Sequence, residues 1–186
     1  MILPIVAYGS KVLRETTVEI EENYPNLDSL IKNLKETMIH ADGVGLAAPQ
    51  VNLGIRLFVV DASPLSKEDE TLEGFSKVFI NPIILEEKGE PWAYNEGCLS
   101  LPGIREEVKR KPKIRIEYYD ENWDLKEEIY EGIKARIIQH EYDHLEGYVL
   151  TDRLQPLKKR ILKGKLASIS KGKVSTDYKM KFPNRK

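Results

Sequence analysis

Hydrophobic residues recur along this chain at spacings that predict three helices. Leucine, isoleucine and methionine return every three or four positions between 27 and 38, which predicts an amphipathic helix over 26–41. A second helix is predicted from Gly132 to Glu146, before a glycine that suits a helix C-terminus, and a third from Pro156 to Ser170. Each helix then has one apolar stripe that must pack against another element.

The inward faces of the last two helices follow from the same spacing. In the second helix we expect the isoleucines to be buried, and in the third we expect the apolar residues at helical spacing to point inward. The residues concerned are Ile133, Ile137 and Ile138, and then Leu157, Ile161, Leu162, Leu166 and Ile169. His40 lies near the end of the first helix, where a cation suits the helix dipole, so we interpret it as a helix-end residue and not a ligand.

Runs of β-branched and apolar residues predict strands between the helices. Ile55–Asp61 is one such run, and Val78–Leu85 is another that contains Asn81-Pro82, so we expect an edge strand or a bent strand there. Lys113–Tyr119 alternates strictly, and a short polar turn leads into Leu125–Tyr130, which predicts a hairpin. Small antiparallel sheets beside segregated helices indicate the α+β class.

Length and composition describe an ordinary globular chain. With 186 residues, 41% of them hydrophobic and 32% charged, one domain with a sizeable core is expected. No apolar run approaches the roughly 20 residues of a membrane span, and the N-terminus resembles neither a secretory nor an organellar signal. Cys98 is the only cysteine, which fits a reducing compartment, so we expect a cytoplasmic protein.

The formal net charge of −1 conceals an asymmetry. Residues 152–186 carry a net charge of +10, and the rest of the chain carries −11. A basic tail is most often a solvated surface, but it can also bind RNA phosphates. Without interleaved aromatic residues, direct recognition of single-stranded RNA is disfavoured. The stretch 171–186 has few apolar residues, so we expect it to contribute little to the core.

A His-Glu-x-x-His sequence at 140–144 is the main indication of chemistry. On the predicted helix, His140 and His144 lie one turn apart on the same face and can direct two imidazoles at one metal ion. Glu141 lies beside them, where it can take the proton of a water that the metal activates. A solvated helix with this spacing by chance is the alternative, and the motif alone does not exclude it.

A catalytic metal site of this kind needs a third protein ligand. Zinc peptidases that use a downstream glutamate are disfavoured, because no glutamate follows Glu146. Peptidases with the longer His-Glu-x-x-His-x-x-Gly-x-x-His pattern are disfavoured too, because Gly147 fits that pattern but Leu150 takes the place of the final histidine. Because neither pattern fits, the third ligand must come from another part of the chain.

Cys98 is the strongest candidate for that ligand. It lies in Glu-Gly-Cys-Leu-Ser-Leu-Pro-Gly at 96–103, a glycine- and proline-rich stretch typical of a loop or a bulged strand end. A buried apolar cysteine and a catalytic nucleophile are the alternatives. A Cys-His-His set suits Fe(II), Zn(II), Co(II) or Ni(II).

Taken together, three segments resemble the peptide deformylase family. They are Gly-Val-Gly-Leu-Ala-Ala-Pro-Gln at 43–50, the cysteine segment at 96–103, and Gln-His-Glu-Tyr-Asp-His-Leu-Glu-Gly at 139–147. The resemblance assigns 1–157 to the catalytic domain and 158–186 to a C-terminal basic helix and tail of the same domain. It also implies small antiparallel or mixed sheets around a central His-Glu-x-x-His helix, with one helix near each terminus, and an inserted loop at 61–76.

The resemblance implies the reaction as well as the fold. Family members remove the formyl group from N-formylmethionyl nascent peptides, and their metal is often Fe(II) in the cell, for which Zn(II), Ni(II) or Co(II) can substitute. Cys98, His140 and His144 would hold one divalent ion, with Glu141 as acid and base. The Gln50 amide and the backbone N–H of Leu99 would stabilise the oxyanion.

The resemblance also places the substrate by position in these motifs. The residues expected to shape the methionine pocket and the peptide groove are Gly43, Val44, Gly45, Glu96, Arg105, Ile133 and Ile137. A monomer is the simplest expectation, and the basic tail could contact the ribosome. Two other functions stay open at this point: a metallopeptidase, and a structural or regulatory metal-binding module that would need a fourth protein ligand.

Overall fold

Three α-helices and a five-stranded sheet form the framework of the fold in this computed structural model, which describes residues 1–183. The helices are α1 (Leu27–His40), α2 (Gly132–Leu145) and α3 (Pro156–Ser170). The strands are β1 (Ile5–Val6), β2 (Gly45–Ala47), β3 (Leu57–Asp61), β4 (Ser76–Lys88), β5 (Trp92–Gly97), β6 (Arg105–Arg110), β7 (Lys113–Tyr119), β8 (Leu125–Glu131) and β9 (Met180–Lys181). This is the predicted α+β class, and the three predicted helices are confirmed to within a residue or two.

The main sheet has the strand order β2-β3-β4-β7-β8, and all its neighbouring strands are antiparallel. β5 and β6 form a separate antiparallel hairpin, and β1 pairs with β9 in parallel. The predicted hairpin of β7 and β8 is confirmed, with Ile114, Ile116 and Tyr118 buried on one face of β7.

Helices α1 and α2 pack on opposite faces of the main sheet. On β3, Phe58 and Val60 belong to the apolar cluster that contains α2, while Leu57 and Val59 belong to the cluster that contains α1. All four side chains are fully buried, so β3 is a continuous hydrophobic run without alternation. Burial of each such side chain contributes roughly 1.5–3 kcal/mol, so β3 holds α1 and α2 against the two faces of the sheet.

The strand with Asn81-Pro82 is bent, as predicted, but it is not an edge strand. β4 lies between β3 and β7, and its pairing with β7 shifts register between Ile80 and Ile83. Asn81 has a positive φ of 48° at this point, and its side-chain amide pairs with the backbone N–H and carbonyl of Ile20. A proline fits a central strand here because the irregularity removes the need for its N–H in the ladder.

Two predictions about the C-terminal part of the chain are wrong. Leu157 and Ile161 were expected inward, yet each is 68% exposed, because only the later turns of α3 pack on the domain through Leu166 and Ile169. The segment after α3 was expected to contribute little to the core. Instead, its alternate residues pack inward, with Tyr178 and Met180 against the apolar clusters. Arg185 and Lys186 of the predicted basic tail lie outside the described residues.

The predicted insertion at 61–76 contains two short 3₁₀ helices, Ser63–Leu65 and Glu70–Leu72. Leu72 and Phe75 anchor it in the cluster around α2. Within residues 1–183, no helix has both the length and the apolar character that crossing a membrane requires.

Candidate active site

Helix α2 carries both histidines and the glutamate of the His-Glu-x-x-His sequence. Most of its residues from Ala135 to Leu145 are buried, including His140, Glu141 and His144. The helix ends at Leu145, and Gly147, two residues later, turns the chain with a φ of 76°. An added Cβ at Gly147 would be 2.8 Å from the carbonyl oxygen of Arg14. A glycine is needed there for both reasons.

Three possible metal ligands converge at this helix. One ligand atom each from Cys98, His140 and His144 lies within 4.8 Å of the others, and Cys98 Sγ is 3.4 Å from His144 Nε2. Burial alone would raise the pKa of the Cys98 thiol, but the two histidines lower that pKa to about 5. Burial likewise opposes protonation of His140, but its contacts with Cys98 and Glu96 raise its pKa. A thiolate with two imidazoles is a donor set that fits a borderline divalent ion.

Cys98 is presented by a tight turn at the end of β5. The Leu101 N–H donates to the Cys98 carbonyl at 2.9 Å, which closes a β-turn with Leu99 and Ser100 at its centre. The carbonyl of Ser100 accepts a bond from the Tyr8 N–H at 2.9 Å. The predicted loop or strand end is therefore confirmed, and it is anchored on the N-terminal segment.

Glu141 is buried and has a free carboxylate oxygen. Its Oε2 has no hydrogen-bond partner among residues 1–183, and burial raises its pKa to about 7, against the influence of both histidines. Gly45 lies directly against this carboxylate, since an added Cβ would be 2.7 Å from Glu141 Cδ. This buried oxygen has no partner and lies beside the Cys-His-His set. It is therefore well placed to accept a proton from a water molecule bound there.

Gln50 lies beside the turn that carries Cys98. Its Oε1 accepts a bond from the Ala47 N–H at 2.9 Å, so its Nε2 faces the turn, 3.3 Å from Ser100 Oγ and 3.7 Å from Cys98 Sγ. The Leu99 N–H donates to no residue in the described part of the chain. Both predicted oxyanion donors therefore lie next to the possible metal ligands.

A buried network of charges supports His140 from behind. His140 Nδ1 is 3.0 Å from Glu96 Oε2, and Arg110 binds the same carboxylate through two nitrogens at 2.7 and 3.0 Å. Arg136 adds a bond of 2.7 Å to Glu96. Despite its burial, Glu96 keeps a strongly lowered pKa because His140 and Arg110 bond to it. A carboxylate that accepts a hydrogen bond from Nδ1 of a histidine fixes the orientation of the ring and leaves Nε2 available to a metal.

The network continues outward from Arg110 to the molecular surface. Arg110 donates to Asp143 at 2.8 Å, and Asp143 also accepts two bonds from Arg153, one of them at 2.9 Å. The sequence motifs did not indicate Arg110, Arg136 or Asp143 as parts of the site. Asp143 stood inside the recognised motif, but the spacing gives no sign of partners 33 residues away on β6.

The predicted substrate residues line a single cleft in front of these groups. The cleft has a volume of about 560 Å³. Its lining includes all seven of the residues expected on the substrate side: Gly43, Val44, Gly45, Glu96, Arg105, Ile133 and Ile137. Leu65 and Glu68 of the insertion and residues 175–178 also line it, and the sequence had not indicated them.

The comparisons with known proteins agree with this geometry. The family model described as polypeptide deformylase matches residues 2–160. A peptide deformylase of Christiangramia forsetii is 54% identical, with 100% of this chain and 98% of the relative covered. One of Cytophaga hutchinsonii is 50% identical, and both chains are covered completely.

Solved structures give the same result. The peptide deformylase of Thermotoga maritima superposes with a TM-score of 0.76 at 38% identity, covering 84% of this chain and 99% of that one. Peptide deformylase 1B from Arabidopsis thaliana, solved in complex with an inhibitor, gives a TM-score of 0.81 at 32% identity, covering 92% of each chain. The chain therefore belongs to the polypeptide deformylase family, whose members remove N-terminal formyl groups from nascent peptides.

Proposed function

We propose that this chain hydrolyses the formyl amide of N-formylmethionyl peptides, with one divalent metal ion held by Cys98, His140 and His144. The convergence of these three ligand atoms within 4.8 Å, beside the free oxygen of Glu141, is the observation that carries the proposal. Helix α2 is then the central element of the catalytic unit, because it supplies both histidines and the acid–base residue.

The three ligands suit several metals, and we propose Fe(II) as the ion used in the cell, with Zn(II), Ni(II) or Co(II) able to replace it. Thiolate and imidazole donors accept all four ions. Such an ion would polarise the formyl carbonyl and bring the pKa of a water molecule close to neutrality.

The residues around the ligands supply the remaining chemistry. Glu141 takes a proton from the attacking water and delivers it to the departing nitrogen as the formyl C–N bond breaks. The oxygen and the second hydrogen of that water leave in formic acid, which ionises to formate, and the peptide gains a free amine. Gln50 Nε2 and the Leu99 N–H donate to the carbonyl oxygen as it becomes negative. Loss of one such donor raises the activation free energy by about 2.7–4 kcal/mol.

The lining of the cleft suits an extended peptide that begins with methionine. Gly43 and Gly45 border the cleft, while Val44, Ile133 and Ile137 give an apolar wall for the methionine side chain. Arg105 also lines the cleft, and we propose that it contacts the residues that follow the methionine. The Glu96 carboxylate is bound by His140 and two arginines, so we propose that it positions His140 while its backbone borders the cleft.

The organisation of the chain supports three further proposals. We place the catalytic unit at 1–157 and regard 158–186 as a basic helix and tail of the same domain, since Leu166 and Ile169 pack on it. A monomer suffices, because every proposed catalytic group comes from one chain. A single buried free cysteine suits a reducing compartment, and we propose the cytoplasm.

The basic C-terminal part could place the enzyme where its substrate emerges. We propose that exposed cations of α3 and the tail contact ribosomal RNA phosphates. Arg160 and Lys163 are exposed, and neither forms an ion pair with a residue in 1–183. Such attachment would weaken steeply with salt.

Formate release from a formyl-methionyl tripeptide tests the proposed reaction, with the acetyl-methionyl peptide as the control substrate. We expect formate and a free N-terminus from the first, no acetate from the second, and no internal cleavage of either. Cleavage inside the peptide would support a metallopeptidase, and no turnover in metal-loaded protein would support a structural metal site.

Reconstitution under anaerobic conditions tests the metal assignment. Protein stripped with a chelator should regain activity with Fe(II) and with Zn(II), and the Fe(II) form should lose activity in air because its thiolate and metal are open to oxidation. Cys98→Ala should lose both metal and activity. Equal lifetimes of the two forms in air would contradict the iron proposal.

A further inference from the structure

The C-terminal segment returns to the active site after α3 has ended. Residues 175–178 line the substrate cleft, although the match to the family model ends at residue 160. Val174, Thr176, Tyr178, Met180 and Phe182 alternate with exposed residues, which is the period of an extended chain with one face inward. This segment therefore contributes side chains to the cleft that the shared motifs do not account for.

Strand pairing fixes the position of this segment. β9 begins two residues after Tyr178 and pairs with β1. The Ile5 N–H donates to the Lys179 carbonyl and the Ala7 N–H donates to the Lys181 carbonyl, both at 2.9 Å. Upstream of Tyr178, the Thr176 hydroxyl donates to the Tyr178 carbonyl at 2.9 Å. Because both flanks are held, the Tyr178 ring has a defined place between the cleft and the core.

The Tyr178 hydroxyl makes one specific contact with the active-site turn. It donates to the Leu99 carbonyl at 2.8 Å. Burial raises the pKa of Tyr178 to about 12, so the hydroxyl keeps its proton and remains a donor at neutral pH. The ring packs in the same apolar cluster as Tyr24. Unlike Tyr178, Tyr24 has no side-chain hydrogen bond to any residue in 1–183.

Tyr178 binds the Leu99 carbonyl, which the hydrogen bond within the turn does not use. The bond from the Leu101 N–H to the Cys98 carbonyl closes the turn, but it does not involve the Leu99 carbonyl. In a β-turn the central peptide can adopt two orientations, which distinguish type I from type II. A donor on the Leu99 carbonyl selects one of them and thereby sets the direction of Ser100, whose hydroxyl accepts a bond from Gln50 Nε2 at 3.3 Å.

We propose that Tyr178 is a positioning residue of the active site: it fixes the central peptide of the turn at 98–101 and, through Ser100, the amide of Gln50. The proposal rests on the proposed function, in which Gln50 and Leu99 stabilise the oxyanion. It extends the working active site to a residue 18 positions beyond the end of the family match. The tail would then add a positioning residue to the catalytic unit at 1–157, although it lies outside that unit.

Tyr178→Phe in the full-length, metal-loaded protein removes the hydroxyl and keeps the ring. We expect kcat for a formyl-methionyl tripeptide to fall about tenfold, KM to stay within about twofold, and the bound metal to remain at one ion per chain. Tyr24→Phe is the matched control, because its ring lies in the same cluster, and it should leave kcat unchanged. A normal kcat for Tyr178→Phe, or loss of metal in parallel with activity, would overturn the proposal.

A double-mutant cycle with Gln50→Ala separates positioning from a general effect on the fold. If Tyr178 acts through Gln50, Tyr178→Phe should lower kcat less than about threefold in the Gln50→Ala background. The same loss in both backgrounds contradicts positioning of Gln50. Wild-type protein that releases no formate contradicts the proposed function and this proposal with it, whereas an active wild type with an equally active Tyr178→Phe contradicts the positioning role alone.

Discussion

At the scale of single residues, Gly45 keeps the space that the Glu141 carboxylate occupies. An alanine there would overlap with the carboxylate, so Gly45→Ala should displace the proton acceptor without touching a metal ligand. We expect turnover to fall about 10²-fold or more, because small displacements of a reacting group are costly. Gly54→Ala is the control, since nothing lies within 4 Å of an added Cβ there. Equal activity in both variants, measured with equal metal content, would contradict this close packing.

Glu96 gives a second test at the same scale. Glu96→Gln removes the negative charge that accepts the hydrogen bond from His140 Nδ1. It also leaves Arg110 and Arg136 without their shared anion. Loss of such a supporting partner weakens metal binding about 10–100-fold, which competition with a chelator would measure. Glu107→Gln on the neighbouring strand removes an exposed carboxylate and should leave the affinity unchanged. An unaltered affinity in Glu96→Gln would exclude the positioning role of Glu96.

The sequence indicated the three possible metal ligands but not the residues that support them. His140 and His144 follow from helical spacing, and the lone Cys98 was the remaining donor once both longer peptidase patterns failed. Arg110 occupies an inward position on β6 beside buried Val108, which a charged residue rarely does without partners. Those partners come from β5 and α2, and no local pattern specifies contacts between distant elements.

At the scale of elements, α3 has only one end in the core. Ile161 is exposed whereas Leu166 is buried, although both fit the same apolar stripe. Leu166→Ala should therefore cost about 2–5 kcal/mol in the free energy of unfolding. Ile161→Ala should change it by no more than about 0.5 kcal/mol, as surface substitutions usually do. Urea unfolding of the two variants measures the difference, and equal losses would contradict the observed placement of α3.

Helical and strand periods identified the three helices and the strands β3, β4, β7 and β8, because those periods depend on neighbouring residues. They did not indicate β2 or the hairpin of β5 and β6. They could not place β4 inside the sheet, since a proline is admitted there only by the irregular pairing with β7. They also missed β9, a two-residue strand whose partner β1 lies at the other end of the chain. Short elements that depend on distant partners have little local signal.

At the scale of the whole molecule, the basic charge lies on α3 and the segment after it. Deleting 171–186 would remove Tyr178 and β9 together with the charge, so substitution is the cleaner test of the ribosome proposal. Arg160→Gln combined with Lys163→Gln should reduce salt-sensitive co-sedimentation with ribosomes, by about one unit of salt slope per lost phosphate contact. Turnover of a short peptide should not change. Lys32→Gln with Lys109→Gln is the control, because it removes the same charge elsewhere. An equal effect of both pairs would contradict a specific contact through α3, since binding would then depend on net charge alone.

The assembled site makes one claim above the others: Glu141 is the proton-transferring group and not a ligand of the metal. The most direct test is formate release by metal-loaded Glu141→Gln, compared with wild type at the same measured metal content. We predict one ion per chain in both proteins and a rate about 10²–10⁴-fold lower in the variant. A variant that keeps its metal and a near-normal rate of formate release would contradict the account.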